Sequence, residues 1–452
     1  MESAVKNKKK YPFGFYVCSL SYTLERMAFY SSRWLIGIFI VTAVAKGGLG
    51  LTDSDGAKMI ANLVAFTYVT PIIGGFIADR WLSPRLCVPI GTVLMGLGYM
   101  CGWQASAQTS ISLVWLMIVL VSIGTGLFKG NLSGISGRLF DNKEELDGAF
   151  SVQYSFVNIG AFIGTTFVSF IAYSSIGFSG TFLICAILLF LDTIWFVVGG
   201  KASFGEVGKK PFKVNEANDK SQSGGQRSSE EPLTKKDKLR VGAIVFLTVF
   251  SIAFWLAYYL TSLPILYHWG PDFADANKAN WMIGNFRVPS AWFDSLNSLS
   301  CIILGPILAM VWNKRARSPK GDLSMFKKTA LGMVLLGLSF AVMALAEVVR
   351  GNGQASLIWI IIFGVLMTLG EMVFSPLGNS FISKFSPSKL LGLMLGIWPL
   401  AVFIAAKAHG YLYELLTKFS FAPGYAFVGA VVIVCGIVLW SLDKKLSKLV
   451  ED

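Results

Sequence analysis

Long apolar runs alternate with short polar stretches along almost the whole chain. A helix needs roughly 20 predominantly apolar residues to cross a bilayer, and twelve runs reach that length. Their centres fall near residues 27, 68, 95, 123, 161, 190, 251, 300, 337, 368, 401 and 433. The pattern therefore predicts an all-α membrane protein with twelve transmembrane helices.

One long polar stretch divides these twelve predicted helices into two sets of six. Residues 201–238 combine Gly, Ser, Pro and charges of both signs with almost nothing to bury, as solvated linkers do. The predicted organisation is an N-terminal half at 1–200, a linker at 201–238 and a C-terminal half at 239–452. Transporters built from two similar halves share this layout, with the substrate site between the halves near the bilayer midplane.

The distribution of basic residues predicts the orientation. Most of the 39 Lys and Arg residues fall on one side if the N-terminus is placed in the cytoplasm, and cytoplasmic loops carry an excess of these residues. Both termini and the linker are therefore predicted to be cytoplasmic, in a multi-pass protein of the plasma (inner) membrane. The net charge of +13 reflects this bias and not a nucleic-acid-binding face, which requires a folded basic domain.

Composition excludes soluble domains and most enzyme classes. Hydrophobic residues make up 54% of the chain and charged residues 14%, whereas a soluble domain carries about 25% charged residues. Two histidines and six cysteines without C-x-x-C spacing offer little from which to build a metal site. Because the usual nucleophile and base sets are missing as well, we predict neither an enzyme nor a resident cofactor.

Four charged residues lie deep inside predicted helices: Glu25, Arg26, Lys129 and Glu371. An ionised side chain at the bilayer centre costs at least ~2.5–3.5 kcal/mol and usually marks a substrate path. Counted along the helices at about 1.5 Å per residue, the four share a central to cytoplasmic band. Arg26 and Lys129 could hold a carboxylate and Glu371 an ammonium, which suits a zwitterion. The alternatives are a static ion pair of Glu25 and a structural role for Glu371.

Several segments together resemble the proton-dependent oligopeptide transporter (POT) family of the major facilitator superfamily. In the first helix, SYTLERMAFYSSR resembles the family's E-x-x-E-R-F-x-Y-Y segment. The second helix and its exit, TYVTPIIGGFIADRWLSPR, resemble a signature that reaches a cytoplasmic gating loop. These two segments carry over residues of the family's pocket and gates, here Glu25, Arg26, Tyr30, Arg33, Tyr68, Asp79 and Arg80.

Further resemblance follows in the later helices. GTGLFKGN in the fourth, FSVQYSFVNIGAF in the fifth and WFDSLN in the eighth are similar to family segments. GEMVFSPLGNSFISKFSP in the tenth and LGLMLGIWPLA in the eleventh are similar too. These segments carry over Lys129, Tyr154, Asn158, Asn297, Glu371 and Trp398.

The resemblance implies a secondary active transporter that takes up di- and tripeptides by alternating access, driven by a proton gradient and functional as a monomer in the lipid bilayer. Asn158 and Asn297 would bond the backbone amides and ends of the peptide, since their side chains both donate and accept. The expected aromatic walls are Tyr30, Tyr68, Tyr154, Trp255 and Trp398. The expected coupling and gating residues are Glu25, Arg33, Asp294, Asp79 and Arg80.

The chain departs from the family at two acids. Tyr22 stands where the first Glu of the first-helix motif belongs, and the seventh helix has Tyr258, Tyr259 and Leu260 where an acid and Gln are common. A tyrosine, with a reference pKa near ~10, does not exchange protons near neutrality. Arg33 then lacks its outer partner, and we predict that Asp294, at the family's Gln position, pairs with Arg33 when the outer side closes.

Three mechanisms stay open at this point. Proton symport using Glu25, Asp294 and Glu371 follows the family, and uncoupled or exchange transport of peptides is the second possibility. The third is a different small solute, such as nitrate or an amino-acid-like molecule. Retention of both Glu371 and Lys129 favours a peptide over a lone anion, for which a midplane acid is unfavourable.

Three further polar residues in apolar runs match no family feature. Lys407 and His409 lie near the external end of the eleventh predicted helix, where snorkelling to the headgroups explains them. Asp192 lies near the inner end of the sixth, and we expect it to make a polar contact to the linker.

Overall fold

The computed structural model describes residues 11–140, 143–211, 233–273, 278–319, 321–375, 377–387 and 390–451. Within these ranges the N-terminal half is a bundle of long helices that pack against one another. They are α1 (Phe13–Val41), α2 (Asp53–Arg80), α3 (Pro84–Gln108), α4 (Ile111–Gly137), α5 (Lys143–Ala172) and α6 (Gly177–Ser203).

The C-terminal half repeats this arrangement with two interrupted helices. Its helices are α7 (Lys235–Leu260), α8 (Ser262–Tyr267), α9 (Trp292–Ala316), α10 (Met325–Arg350), α11 (Leu357–Phe374), α12 (Leu377–Phe385), α13 (Leu391–Leu416) and α14 (Phe421–Glu451). Four two-residue strands lie in its loops: β1 (Ala279–Asn280), β2 (Met282–Ile283), β3 (Phe286–Arg287) and β4 (Ala355–Ser356). β1 pairs with β4 in parallel and β2 pairs with β3 in antiparallel fashion.

The helices have the lengths that a bilayer requires. Among the described residues, 11 helical segments are long and apolar enough to cross a membrane, with α7 and α8 forming one of them. α1 is a further long helix outside this set of 11. Its 29 residues span about 43 Å at the rise of an α-helix, and Glu25 and Arg26 lie near its middle. Each predicted helix centre lies inside one of these helices, so the prediction of an all-α membrane protein in two helical halves is confirmed.

The boundaries of the predicted linker are only partly described. α6 continues to Ser203 and α7 begins at Lys235, so both edges of the predicted 201–238 segment are helical. Residues 212–232, its central part, lie outside the described residues. The division at 200 and 239 and the cytoplasmic side of the termini stay predictions.

Two glycines on α5 let this helix approach α1 at backbone distance. A Cβ atom on Gly160 would lie 2.3 Å from the Thr23 carbonyl oxygen, and one on Gly164 would lie 2.4 Å from that of Met27. Small residues spaced four apart allow such close packing in membranes. The contact brackets the part of α1 that carries Glu25 and Arg26, so it fixes the position of these charges.

The two halves are joined at the end of the bundle opposite to the linker, which we call the far side. Arg33 Nη2 donates to Ser262 Oγ at 2.9 Å, and Trp34 Nε1 donates to Ser290 Oγ at 2.9 Å. Lys58 of α2 forms a 2.9 Å ion pair with Glu414 of α13. α2 packs along α13 and α5 along α9. The structure is therefore closed on the far side.

Candidate functional site

Glu371 on α11 is held in a defined geometry by two neighbouring helices. Its Oε2 accepts hydrogen bonds from the Tyr258 hydroxyl of α7 and from Asn297 Nδ2 of α9, both at 2.8 Å. Asn297 Nδ2 also donates to Thr368 Oγ1 at 3.0 Å. Within the described part of the chain, Oε1 accepts no hydrogen bond. The carboxylate is thus oriented through one oxygen and leaves the other for a cationic ligand.

Arg26 on α1 is paired with its own neighbour in the sequence. Its Nε and Nη2 donate to the two carboxylate oxygens of Glu25, and both residues are buried. The guanidinium carbon lies 4.5 Å from the centre of the Phe29 ring and 5.8 Å from that of Tyr30. Arg26 can therefore hold a substrate carboxylate only after it leaves Glu25, so the ion-pair alternative describes this conformation.

Lys129 on α4 is the cation that stays available. It forms no ion pair with any acid of the described chain, and its Nζ lies 5.1 Å from the centre of the Tyr68 ring. Tyr22 supports the same turn, because its hydroxyl donates to the Lys129 carbonyl oxygen at 2.8 Å and lies 2.6 Å from Ser133 Oγ. The tyrosine at the family's acid position thus ties α1 to the helix that bears Lys129.

Tyr30 and Tyr68 lie within reach of charged side chains from both halves of the protein. The Tyr30 hydroxyl is within the electrostatic influence of Arg26, Arg33 and Glu371. The same three charges act on the Tyr68 hydroxyl. Charges from both halves therefore act on the same two hydroxyls, and their role in binding a zwitterion stays a prediction.

A cleft of about 800 Å³ opens between the halves on the linker side. α5 contributes Tyr154 and Asn158 to its wall, α9 contributes Cys301, and α11 contributes Met372, the neighbour of Glu371. Asn158 Nδ2 donates to the Tyr154 carbonyl oxygen at 3.0 Å, which leaves its side-chain oxygen for a ligand. Two predicted site residues thus line an open path that leads toward Glu371.

Trp255 and Trp398 lie in an aromatic cluster behind Glu371. Trp255 is 7% exposed and Trp398 is 8% exposed. The Trp398 ring stacks on Phe374 at 6.1 Å, and Phe374 stacks on Phe254 at 3.8 Å. Both tryptophans thus pack around Phe374 on the helix that bears Glu371, and their contact with a substrate stays a prediction.

The predicted gating residues fall into two separate places. Arg33 and Asp294 line a small cavity of about 10 Å³ on the far side, but no described ion pair within 4 Å joins them. The predicted direct pair is not formed, because Arg33 donates to Ser262 instead. Asp79 and Arg80 lie at the linker end of α2, where the Arg80 guanidinium covers the Phe76 ring at 3.8 Å.

Lys407 and His409 are not directed to the headgroups, so the snorkelling interpretation is wrong. Lys407 Nζ donates to the side-chain oxygen of Asn62 on α2 and lies 5.5 Å from the centre of the Phe66 ring. His409 is 1% exposed, with Nδ1 2.6 Å from the Ala406 carbonyl oxygen. Helical rotation places both side chains inward at the contact of the two halves, which the linear sequence does not reveal.

Asp192 does not contact the linker either, and that expectation is wrong as well. Its side chain is fully buried inside the N-terminal half, within electrostatic range of Cys18 and Glu25 on α1.

The sequence also missed Tyr258 as a site residue. In the sequence, the tyrosines of the seventh helix indicated only that a common acid was missing. They did not show that the Tyr258 hydroxyl donates to Glu371.

Comparison with known proteins extends this description. A family model described as the POT family matches residues 86–216 and 227–431. The di-/tripeptide transporter of Lactococcus lactis subsp. cremoris is 23% identical over 478 aligned positions, covering 95% of this chain and 94% of the relative.

Solved structures agree with the fold. A mutant of the peptide transporter POT in complex with sulfate aligns with a TM-score of 0.85 and 25% identity, over 98% of this chain and 96% of the other. A POT family transporter in complex with a thioalcohol-conjugated peptide aligns with a TM-score of 0.83 and 24% identity, over 96% of each chain. Since the family model covers well over half of the sequence, the chain belongs to the POT family of multi-pass membrane transporters and is not an enzyme.

Proposed function

We propose that this chain carries di- and tripeptides across the plasma (inner) membrane as a monomer, by alternating access of one site between its halves, and that protons drive the cycle. The observation that carries the proposal is the carboxylate of Glu371, which is fixed by Tyr258 and Asn297 and faces the same region as Arg26. Relatives named as di-/tripeptide transporters support the substrate class.

The bound peptide spans the two halves in this proposal. Its ammonium pairs with Glu371 and its carboxylate with Lys129, joined by Arg26 once that residue has left Glu25. Charge-assisted hydrogen bonds of this kind are roughly twice as strong as neutral ones. Asn158 and Asn297 bond the backbone amide, and Tyr30, Tyr68 and Tyr154 provide walls that tolerate many side chains. A molecule with only one charged end leaves one of these groups without a partner.

Alternating access follows from the asymmetry between the two ends. The far side is closed by hydrogen bonds between the halves, while the linker side has an open cleft. Opening the far side breaks the Arg33–Ser262 and Lys58–Glu414 contacts. In the proposal, Asp79 and Arg80 at the linker end of α2 take part in closing the opposite gate.

Proton coupling centres on Glu25. When Arg26 turns to the peptide carboxylate, Glu25 is left buried without its partner. An unpaired buried carboxylate neutralises instead of staying ionised, so Glu25 takes up a proton as the substrate binds. Release of the peptide returns Arg26 to Glu25 and expels that proton.

Uptake of labelled dialanine into liposomes tests the proposal. Proton symport predicts accumulation above equilibrium with an inward proton gradient and simple equilibration without one. Equal uptake under both conditions identifies an uncoupled or exchange carrier, for which the tyrosine at position 22 is the favouring observation. Absence of dialanine uptake and of dialanine counterflow, in protein that melts cooperatively, rules out the peptide-carrier function.

A further inference from the structure

Asp192 lies in α6, fully buried inside the N-terminal half. Neither of its carboxylate oxygens has a hydrogen-bond partner among the described residues. Cys18 and Glu25 of α1 lie within its electrostatic reach, and the Ser21 hydroxyl between them faces its carboxylate; their spacing of three and four positions places all three on one face of that helix. Ser21 is also fully buried, and its hydroxyl has no partner in the described structure.

Within the part of the chain that the structure describes, no cation neutralises Asp192. No described ion pair involves Asp192, and Arg26, the basic residue beside Glu25, is committed to the Glu25 carboxylate. From α3, Thr92 bonds to Thr193 at 2.8 Å and is not titratable. Among the described residues, the titratable groups in electrostatic contact with Asp192 are Glu25, which acts on it, and Cys18, on which it acts, and neither can supply a positive charge.

A proton is the ligand that satisfies this site. Moving an isolated carboxylate into a low-dielectric interior is so unfavourable that the group becomes neutral. A metal ion needs several donors, and within the described residues no group of three His, Cys, Asp or Glu side chains could hold one. A protonated carboxyl, in contrast, requires only an acceptor nearby, and the Ser21 hydroxyl has free lone pairs.

We propose that Asp192 is a proton-binding site of the N-terminal half, and that its protonation acts on the Arg26–Glu25 pair beside it. The two carboxyl groups lie close enough for the charge of one to act on the other. Glu25 forms an ion pair with Arg26 in this conformation. Of the two carboxyl groups, Asp192 is therefore the one that holds a proton. Loss of Asp192 therefore changes the surroundings of the Arg26–Glu25 pair, on which the proposed proton coupling depends.

Infrared spectroscopy of the purified protein tests the bound proton directly. Wild-type protein at neutral pH is expected to show a protonated-carboxyl band that is absent from Asp192→Asn, a variant that keeps the shape of the neutral acid. Asp322→Asn is the matched control, because Asp322 is 39% exposed and pairs with Lys328; its replacement removes only carboxylate absorption. If Asp192→Asn also removes only carboxylate absorption, the proposal is wrong.

The coupling to Glu25 is tested by the pH profile of dialanine counterflow, and this arm rests on the proposed function. Asp192→Asn is expected to shift the pH of half-maximal counterflow, while Asp322→Asn keeps the wild-type profile. A lost acid band with an unchanged profile overturns the coupling. If the wild type does not transport dialanine at all, the proposed function fails, and the infrared comparison still decides whether Asp192 binds a proton.

Discussion

The Tyr258 hydroxyl donates a hydrogen bond to Glu371 at 2.8 Å and so connects α7 with α11 across the wall of the candidate site. Asn297 donates to the same carboxylate oxygen from α9. A tyrosine of the seventh-helix segment is thus a fixed donor to the intramembrane acid Glu371. Orientation of Glu371 depends on this hydroxyl.

Replacing Tyr258 by Phe removes that donor and keeps the ring. A hydrogen bond to a charged group contributes about 1.5–3 kcal/mol, so we expect dialanine transport to fall roughly ten- to a hundredfold. Initial rates of uptake into liposomes provide the measurement. Tyr259→Phe is the matched control, because it removes a neighbouring buried hydroxyl that makes no hydrogen bond to Glu371. Equal activity of the two variants would show that Tyr258 does not orient the acid.

Gly160 is predicted to be essential for the contact of α5 with α1. A Cβ atom there would lie 2.3 Å from the Thr23 carbonyl oxygen, so Gly160→Ala forces the two helices apart, and overpacking costs about 1–3 kcal/mol. Gly75→Ala on α2 is the control, because its Cβ meets no atom within 4 Å. Thermal unfolding in detergent should be lowered by the first change alone, and a Gly160→Ala variant as stable as the wild type would contradict the packing.

Asp272 joins the halves on the far side, outside the membrane-spanning segments. Its carboxylate accepts from the Tyr173 hydroxyl of the N-terminal half at 2.8 Å and from Ser290. Burial raises the pKa of Asp272 above its ordinary value of 3.8, and the hydrogen bonds from Ser290 and Tyr173 only partly oppose this shift. In a far-side-open state the carboxyl is hydrated and regains its ordinary pKa.

The closed state therefore binds the proton of Asp272 more tightly than the open state. The additional stability that this proton gives the closed state is fully present below the ordinary pKa of Asp272. It is lost as the pH rises through the raised pKa of the closed state. We expect distances between spin labels at Val44 and Ile283, in protein whose native cysteines are replaced, to report a closed fraction that grows on acidification. Asp272→Asn should abolish this dependence. A closed fraction that grows with rising pH would reverse the sign of the argument.

Arg33 and Asp294 are predicted to act on each other across the small far-side cavity that both line. The Asp294 carboxylate is the acid whose charge acts most on the Arg33 guanidinium, although Arg33 bonds directly to Ser262. Transport should be lost in Arg33→Asp and in Asp294→Arg and recovered when both changes are combined. Uptake assays of the three variants decide the matter, and a double variant as inactive as the single ones means that the charges work independently.

The sequence was sufficient for the features that depend on composition and spacing. Hydrophobic run length predicted the positions of the helices, and the cost of an intramembrane charge singled out Glu371 and Lys129. The glycine pair on α5 was visible as a spacing of four. These features are local, so each could be read without knowledge of how the helices are rotated about their axes.

Features that depend on how a helix is rotated about its axis, and on which side chains then contact each other, could not be predicted from the sequence. Arg26 binds its neighbour Glu25 and not a group on another helix, because the two adjacent side chains bend toward each other. His409 faces the interior, and Lys407 reaches Asn62 on the other half. The bond from Tyr258 to Glu371 spans 113 residues in sequence, and only the packing of α7 against α11 brings them together.

Competition by end-blocked peptides tests the central claim most directly, namely that one zwitterion bridges Glu371 and the cations of the N-terminal half. Dialanine, acetyl-dialanine and dialanine amide would be compared as inhibitors of labelled dialanine uptake. Because a buried charge without its partner costs about 2–5 kcal/mol, each blocked peptide should inhibit more than about tenfold less well. Glu371→Gln should remove the preference for a free amino end. Acetyl-dialanine competing as strongly as dialanine in the wild type would contradict the account.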